Sequence, residues 1–359
     1  MVDVYHEKDG DLSLLEDRTI SIIGYGNQGR AQALNLRDSG LNVIIGNRKD
    51  KYKEMAINDG FSTFSITEAV KNSEIIFILI PDEIMKEVFK KNIRPHLREN
   101  NALIFASGYN IGFNLLDVPS NIDVLLLAPR MIGVGVRENF LNNKGFFSFI
   151  SVHQDSSGKA LKLLLALSKA IGALIKGAIY LSFKEEAELD LFNEQAFGPA
   201  FGRVLLSAIY TLIDAGYPPE AVLIEIYMSN EMSYTYKKMA EVGLIKQVDF
   251  HSQTSQYGAM SRGIKYRKLS LKPIMAEILK AIQNGDFTKE WERKITKLKY
   301  KMIKYFATKQ KINKLEKLVR HNLGLEIYDI YEEDPPNEEE FAKLKEIEDE
   351  IELFKQYYK

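Results

Sequence analysis

The sequence predicts an α/β domain built on a doubly wound parallel sheet, followed by an all-α domain. Three observations carry this. Short β-branched runs alternate with helical patterns through the first half. A glycine fingerprint joins the first such run to an alanine-rich helix. From Lys184 onward the pattern turns helical, with few glycines and no strand alternation.

Thr19–Gly24 (TISIIG) reads as the first strand and flows into Gly24-Tyr25-Gly26-Asn27-Gln28-Gly29. A helix over Arg30–Ser39 stops at Gly40, and Leu41–Gly46 gives the second strand. In this context Gly24 turns the chain, Gly26 admits a pyrophosphate and Gly29 lets helix and strand pack closely. The helix N-terminus offers unpaired N–H groups to the phosphates. Further strand-like runs lie at Glu74–Ile80, Ala102–Ala106, Asp123–Ala128 and near Phe146–Val152, with a helical pattern at Asp82–Phe89. Pro81 and Asp82 come just after a strand's C-terminal end, where ligands collect in such sheets.

The end of the second strand selects between nicotinamide cofactors. It reads Gly46-Asn47-Arg48-Lys49-Asp50-Lys51, with no acid before Asp50. Arg48 can clamp a 2′-phosphate, with Lys49 or Lys51 adding charge. The other reading is a solvated basic turn. NADP(H) is favoured.

In the helical half, Glu186, Asp190 and Glu194 are each four residues from the next and share one helix stripe. Like charges at that spacing repel. The neighbouring Leu189, Leu191 and Phe192 suggest a helix packed on several sides, where a divalent cation is the usual compensator. A second helix near Glu220–Ala240 carries Glu225 and Glu231. Oxygen-only ligands on facing helices suit Mg²⁺, whereas a solvated acidic face is the plain alternative.

The bulk numbers bound the function. With 359 residues there is room for two cores, and 45% hydrophobic with 27% charged residues is ordinary for a globular protein. A net charge of −1 argues against nucleic acid or a membrane surface as the main partner. No cysteine is present, which excludes disulfides and thiol chemistry. The N-terminus lacks a basic-then-apolar leader, and no apolar run approaches about 20 residues, so a cytoplasmic protein is expected.

The stretches IIGYGNQGRAQALNLRDSG (22–40), LIPDE (79–83), SVHQDSSGKA (151–160), FKEEAELDLFNEQ (183–195), AGYPPE (215–220) and IQNGDFTKEW (282–291) carry a resemblance. In them the chain resembles the short form of ketol-acid reductoisomerase. The resemblance implies a Rossmann domain over 1–181, a knotted helical domain over 182–325 that binds metal and substrate and forms an interlocked dimer, and an added acidic extension over 326–359. It also implies NADPH, Mg²⁺ and a 2-acetolactate-type substrate, converted by an alkyl shift and then a hydride transfer. By the match, Asp190 would bridge two metals, Glu194 would ligate one and serve as proton shuttle, and Glu225 would join from a partner subunit. Ser252 would contact substrate. Tyr25, Asn27, Gln28, Pro81, Asp82 and Gly133 fall in the cofactor-binding stretches.

This chain departs from the family pattern at several site positions. Ser107 and Gly112 stand where the family has histidines, and Arg130 stands for its lysine. Ungapped alignment places Ser229 where a fourth metal carboxylate belongs, and Glu231 substitutes only with a two-residue insertion in the helix. Gln253 and Gln256 replace two further acids. Two other functions therefore stand beside the reductoisomerase: a 2-keto acid reductase without the alkyl shift, and a catalytically silent subunit of an active paralogue.

Near the end, residues 293–320 hold eleven Lys or Arg against a single acid, Glu316. Beyond Asp334-Pro335-Pro336, Phe341, Leu344, Ile347, Ile351 and Phe354 recur at helical spacing. They predict an amphipathic helix that packs on the basic segment, or else an oligomer contact.

Overall fold

The computed structural model describes residues 2–326, 352–354 and 356. The chain divides into two compact units between Asp190 and Leu191. The amphipathic helix expected at 341–354 lies outside the described residues, apart from 352–354.

The first unit is built on nine strands: β1 (Val4–Tyr5), β2 (Thr19–Ile23), β3 (Asn42–Gly46), β4 (Ser62–Phe64), β5 (Ile75–Ile78), β6 (Ala102–Phe105), β7 (Asp123–Pro129), β8 (Ser148–Gln154) and β9 (Ala178–Tyr180). They form one sheet in the order β1-β9-β8-β7-β6-β5-β2-β3-β4. Strands β4-β3-β2-β5-β6-β7 run parallel. The chain order reverses between β2 and β5, and the crevice at such a switch point is where dinucleotides bind.

Side chains alternate across this sheet into two cores. Ile20, Ile22, Ile75, Phe77, Ile104, Leu125 and Leu127 enter one, together with Ala33 and Leu36 of α1 (Asn27–Asp38). Ile23, Ile76, Ile78, Leu103, Phe105, Val124 and Leu126 enter the other. Burial on both faces explains why these strands read as continuous apolar runs. Around the sheet lie α2 (Lys51–Asn58), α3 (Ile66–Lys71), α4 (Asp82–Val88), the short α5 (Tyr109–Gly112), α6 (Gly133–Leu141) and α7 (Ala160–Ala170).

The expectation of a parallel sheet is corrected at one edge. Strand β8 pairs antiparallel with β7, and β1 pairs antiparallel with β9. The intervening helix α6 packs against α1 rather than serving as a crossover above the β7–β8 pair. An apolar run records burial and says nothing about strand direction.

Helix α8 (Phe183–Phe192) closes the unit. Ser182 starts it through a capping box: its amide donates to Glu185 Oε2 (2.8 Å), and the Glu185 amide donates to Ser182 Oγ (3.1 Å). The helix continues to Asp214 through a π-helical turn, and by length and composition it is apolar enough to cross a bilayer. That apolarity is spread over polar interruptions, so no unbroken apolar run marks it in the sequence.

The second unit holds α9 (Gly198–Asp214), α10 (Pro219–Leu223), α11 (Glu231–Val242), α12 (Gln253–Gly263), α13 (Lys272–Gln283), α14 (Asp286–Trp291), α15 (Lys294–Thr308) and α16 (Lys311–Asn322). Its buried cores are small. One comprises Ile209, Val222, Leu223 and Val319, and another centres on Met302. Large apolar side chains such as Tyr234, Ile245, Phe250, Tyr257 and Ile264 are exposed.

Candidate active site

The fingerprint turn joins β2 to α1. Gly24 has φ +95°, and a Cβ there would meet Leu79 O at 2.7 Å. A Cβ on Gly29 would stand 2.0 Å from Gly24 O, so the helix and the turn touch backbone to backbone. Gly26 instead faces open space, where an added Cβ would find no atom within 4 Å. That space at the N-terminus of α1 is where a pyrophosphate would approach. Asn27 and Gln28 begin α1, and Gln28 Nε2 donates to Met131 O (2.9 Å). Gly133, at the start of α6, lies so close that its Cβ would sit 2.1 Å from Asn27 O.

Tyr25 differs from the rest of the turn. Its ring is buried in the core against Phe61, and its hydroxyl donates to Asp59 (2.9 Å), which also pairs with Arg30 (2.7 Å). Only its backbone faces the turn, where its amide donates to Asn47 Oδ1 (3.3 Å). Arg48 comes after β3 and is solvent-facing, with Nε 2.7 Å from Asp50 Oδ2. Asp50 in turn caps α2 by accepting from the amides of Tyr52 and Lys53. Lys49 and Lys51 are exposed beside it.

The next strands deliver a polar cluster from their C-terminal ends. Pro81 and Asp82 come after β5 and start α4, Ser107 and Gly108 come after β6, and Arg130 comes after β7. Asp82 Oδ1 accepts from Asn110 Nδ2 (2.6 Å), and Ser107 Oγ lies 3.3 Å from Asp82 Oδ2. Glu186 on α8 is buried and accepts from the Gly108 amide at Oε2 (2.6 Å). A Cβ on Gly108 would collide with Phe183 O at 2.1 Å, so glycine is what lets this amide reach the carboxylate. Gly112 likewise passes the Lys184 backbone, with a Cβ approach of 3.0 Å.

Arg130 bridges two acids. Nη2 is 2.8 Å from Glu186 Oε1, Nη1 is 2.9 Å from Asp190 Oδ1, and the guanidinium lies over the Phe149 ring at 5.0 Å. A planar fork can hold two carboxylates at fixed angles, which a lysine ammonium cannot do in the same way. Burial pushes the Glu186 carboxyl up to about 7, against the lowering pull of Arg130 and the Gly108 amide. Burial likewise raises Asp82 to about 6, opposed by Asn110 and Ser107.

The Asp82 shift has a consequence for stability. In the folded chain the carboxyl holds its proton up to about 6, above the ordinary aspartate value of 3.8. The unfolded chain therefore binds fewer protons in that window, and stability falls as pH rises through it. Asp82→Asn is expected to raise the melting temperature clearly at pH 8 and hardly at pH 4, a difference of up to about 3 kcal/mol. Equal shifts at both pH values, read by calorimetry on cofactor-free protein, would contradict it.

In the second unit, Glu194 lies in the π-helical turn Asn193–Phe197, where the Gly198 amide bonds to Asn193 O. The uninterrupted α-helix expected through Glu194 is thus corrected to one with a π turn, whose extra residue rotates the residues beyond Phe197 by about 100°. Glu186 is buried, Asp190 half-buried and Glu194 exposed. Leu189 is 50% exposed, so the helix is not enclosed on all sides within one chain. The second acidic helix is not continuous over Glu220–Ala240. A π-helical turn occupies Ile224–Met228, shown by the Ser229 amide bonding Ile224 O (3.1 Å), and Asn230 breaks the helix at φ +65°. Glu225 sits exposed in that turn, and Glu231 begins α11 after the break. Ser252 caps α12 by accepting from the Ser255 amide (3.3 Å); Gln253 starts that helix and Gln256 is half-buried within it. Among the described residues of one chain, no three His, Asp or Glu side chains converge as a metal cluster.

A nucleotide turn at the switch point and a polar cluster at the ends of β5, β6 and β7 define a dinucleotide-dependent oxidoreductase. Residues 14–177 match the family described as acetohydroxy acid isomeroreductase, NADPH-binding domain, and residues 183–324 match ketol-acid reductoisomerase, C-terminal domain. The chain belongs to the ketol-acid reductoisomerase family, and with that it is an NADP-dependent oxidoreductase. The NADP(+)-dependent ketol-acid reductoisomerase of Petrotoga mobilis is 46% identical over 293 residues, covering 81% of this chain and 88% of that protein. A relative from Saccharolobus solfataricus is 45% identical over 287 residues, covering 79% and 86%. The solved structure of an NADH-preferring ketol-acid reductoisomerase from an uncultured archaeon superposes with a TM-score of 0.81 at 32% identity, covering 89% of this chain and 98% of that one.

The sequence points to Asp190 and Arg130 but does not join them through Glu186, nor does it single out Gly108 and Asn110. The signal for Glu186 is present, four residues before Asp190. The Gly108 amide leaves none, because backbone groups carry no residue identity.

Proposed function

We propose that the chain converts 2-acetolactate-type acids to 2,3-dihydroxy-3-alkyl acids by alkyl migration followed by hydride reduction. The observation that carries this is the Arg130–Glu186–Asp190 cluster, set at the strand ends beside the nucleotide turn of the same sheet. Residues 1–181 would bind the cofactor, with Arg48 and Lys49 toward its 2′-phosphate, and 182–325 would serve metal, substrate and dimer. NADPH supplies the hydride when bound, and Mg²⁺ supplies polarisation of the substrate oxygens.

The oxygen-only donors Asp190 and Glu194 suit a hard cation. Glu225 of a second copy would complete the set, a requirement that goes with the exposed Glu225 and the exposed apolar side chains of the second unit. Arg130 holds Asp190 and Glu186 in place and offsets their charge. With a carboxyl near 7, Glu186 can exchange a proton close to neutral pH, a duty that the serine at 107 cannot perform. Glu194 is the second candidate for proton transfer. Ser252 would contact substrate. The enzyme would act in the cytoplasm as a homodimer or higher homo-oligomer.

The test is NADPH oxidation with Mg²⁺, offering 2-acetolactate and, separately, 3-hydroxy-3-methyl-2-ketobutyrate. Turnover of both is expected. Turnover of only the second would replace this reading with a 2-keto acid reductase, and turnover of neither alongside NADPH binding would leave a silent subunit.

A further inference from the structure

Glu316 is the lone acid in a segment of eleven cations, and the metal and cofactor chemistry gives it no task. In the structure it accepts a hydrogen bond from the Tyr227 hydroxyl. Tyr227 belongs to the π-helical turn Ile224–Met228, two residues after Glu225. At the C-terminal end of α16, the helix that carries Glu316, Asn322 Nδ2 donates to Glu220 Oε1 (2.7 Å). Helix α16 therefore grips α10 and its π turn at two points, with Val222, Leu223 and Val319 buried between them.

The rotation matters. Residues two apart point to roughly opposite sides of a helical turn, α or π, so drawing Tyr227 inward onto α16 turns Glu225 outward. Tyr227 is half-buried and Glu225 is exposed, as that geometry requires. Ile226, Met228 and Leu315 pack against the apolar cluster of Ile209, Val222, Leu223 and Val319, contacts that permit sliding, whereas a charge-assisted hydrogen bond is directional. A π turn is a rare, higher-energy conformation, so something outside it has to hold it.

We propose that Tyr227 and Glu316 are a positioning pair that fixes the rotation of the π-helical turn and thereby aims Glu225 at the metal. This rests on the reading of Glu225 as a metal ligand.

The test uses the full chain with NADPH bound and reads Mg²⁺ affinity by calorimetry, with hydrogen exchange at the amides of 224–230. Tyr227→Phe is expected to weaken Mg²⁺ binding about tenfold, to speed exchange in the turn and to leave NADPH affinity unchanged. Glu316→Gln keeps an acceptor for the phenol and is expected to retain most of the affinity. A purely structural role would lower the melting temperature of Tyr227→Phe without moving Mg²⁺ affinity, and that result would overturn the pair. Glu225→Gln is measured in parallel. If it leaves Mg²⁺ affinity intact, the ligand reading fails and takes the proposal with it. If it weakens Mg²⁺ while Tyr227→Phe does not, the proposal alone falls.

Discussion

Asp190→Asn is expected to lower reductoisomerase turnover by about a thousandfold or more, because an amide oxygen lacks the charge that holds a divalent cation. The substitution is nearly isosteric, so helix α8 and its Ser182–Glu185 cap should be unaffected. Arg130 keeps its bond to Glu186 and loses only the ionic partner at Asp190. NADPH affinity should therefore stay within about twofold, since the fingerprint turn is untouched. The two readouts separate chemistry from cofactor binding. An Asp190→Asn protein that still binds Mg²⁺ like the parent would remove Asp190 from the metal site and leave it as a partner of Arg130 alone. A fall in NADPH affinity as large as the fall in turnover would mean that the cluster supports the nucleotide domain rather than the reaction.

Arg130 sharpens this expectation. The guanidinium of Arg130 is already bonded to Asp190. If Asp190 holds a cation, as proposed, that cation would share the carboxylate with Arg130 or displace it. Arg130 bonds Oδ1 of the aspartate.

The nucleotide half was legible because its chemistry is local. A β-branched run, glycines at fixed offsets and an alanine-rich helix each constrain the backbone within about 30 residues. The strands at Thr19–Ile23, Asn42–Gly46 and Ala102–Phe105 fall where the apolar runs are. Direction along the sheet edge was not legible, since Ser148–Gln154 would bury the same residues either way. The π-helical turns at Asn193–Phe197 and Ile224–Met228 also left no mark in the sequence. One extra residue interrupts a hydrophobic period too briefly to stand out from ordinary irregularity, although it rotates the residues beyond each turn. Asn230 is a partial exception: asparagine is one of the few residues that accept a left-handed conformation, and here it ends the helix before Glu231.

Gly29→Ala is expected to be the most damaging single methyl in the nucleotide domain. The added Cβ would lie 2.0 Å from Gly24 O and 3.0 Å from Gly24 C, well inside van der Waals contact. The obstacle is backbone, so no side-chain rotation relieves it. Either α1 withdraws from β2 or the turn deforms, and Gly24 is already held at φ +95° against the Leu79 carbonyl. Overpacking of this kind costs about 3 kcal/mol, and a displaced helix N-terminus also loses its alignment with the phosphates. Both the melting temperature and NADPH affinity should fall. Gly26→Ala supplies the contrast, because its Cβ would meet no protein atom within 4 Å and its φ of −78° suits any residue. Its stability should be near that of the parent while NADPH binding weakens, because the methyl would occupy the space left for the pyrophosphate. Thermal melts and cofactor titrations on the two variants therefore distinguish a glycine needed by the fold from one needed by the ligand. If Gly26→Ala binds NADPH as tightly as the parent, the open space before α1 is not where the pyrophosphate lies.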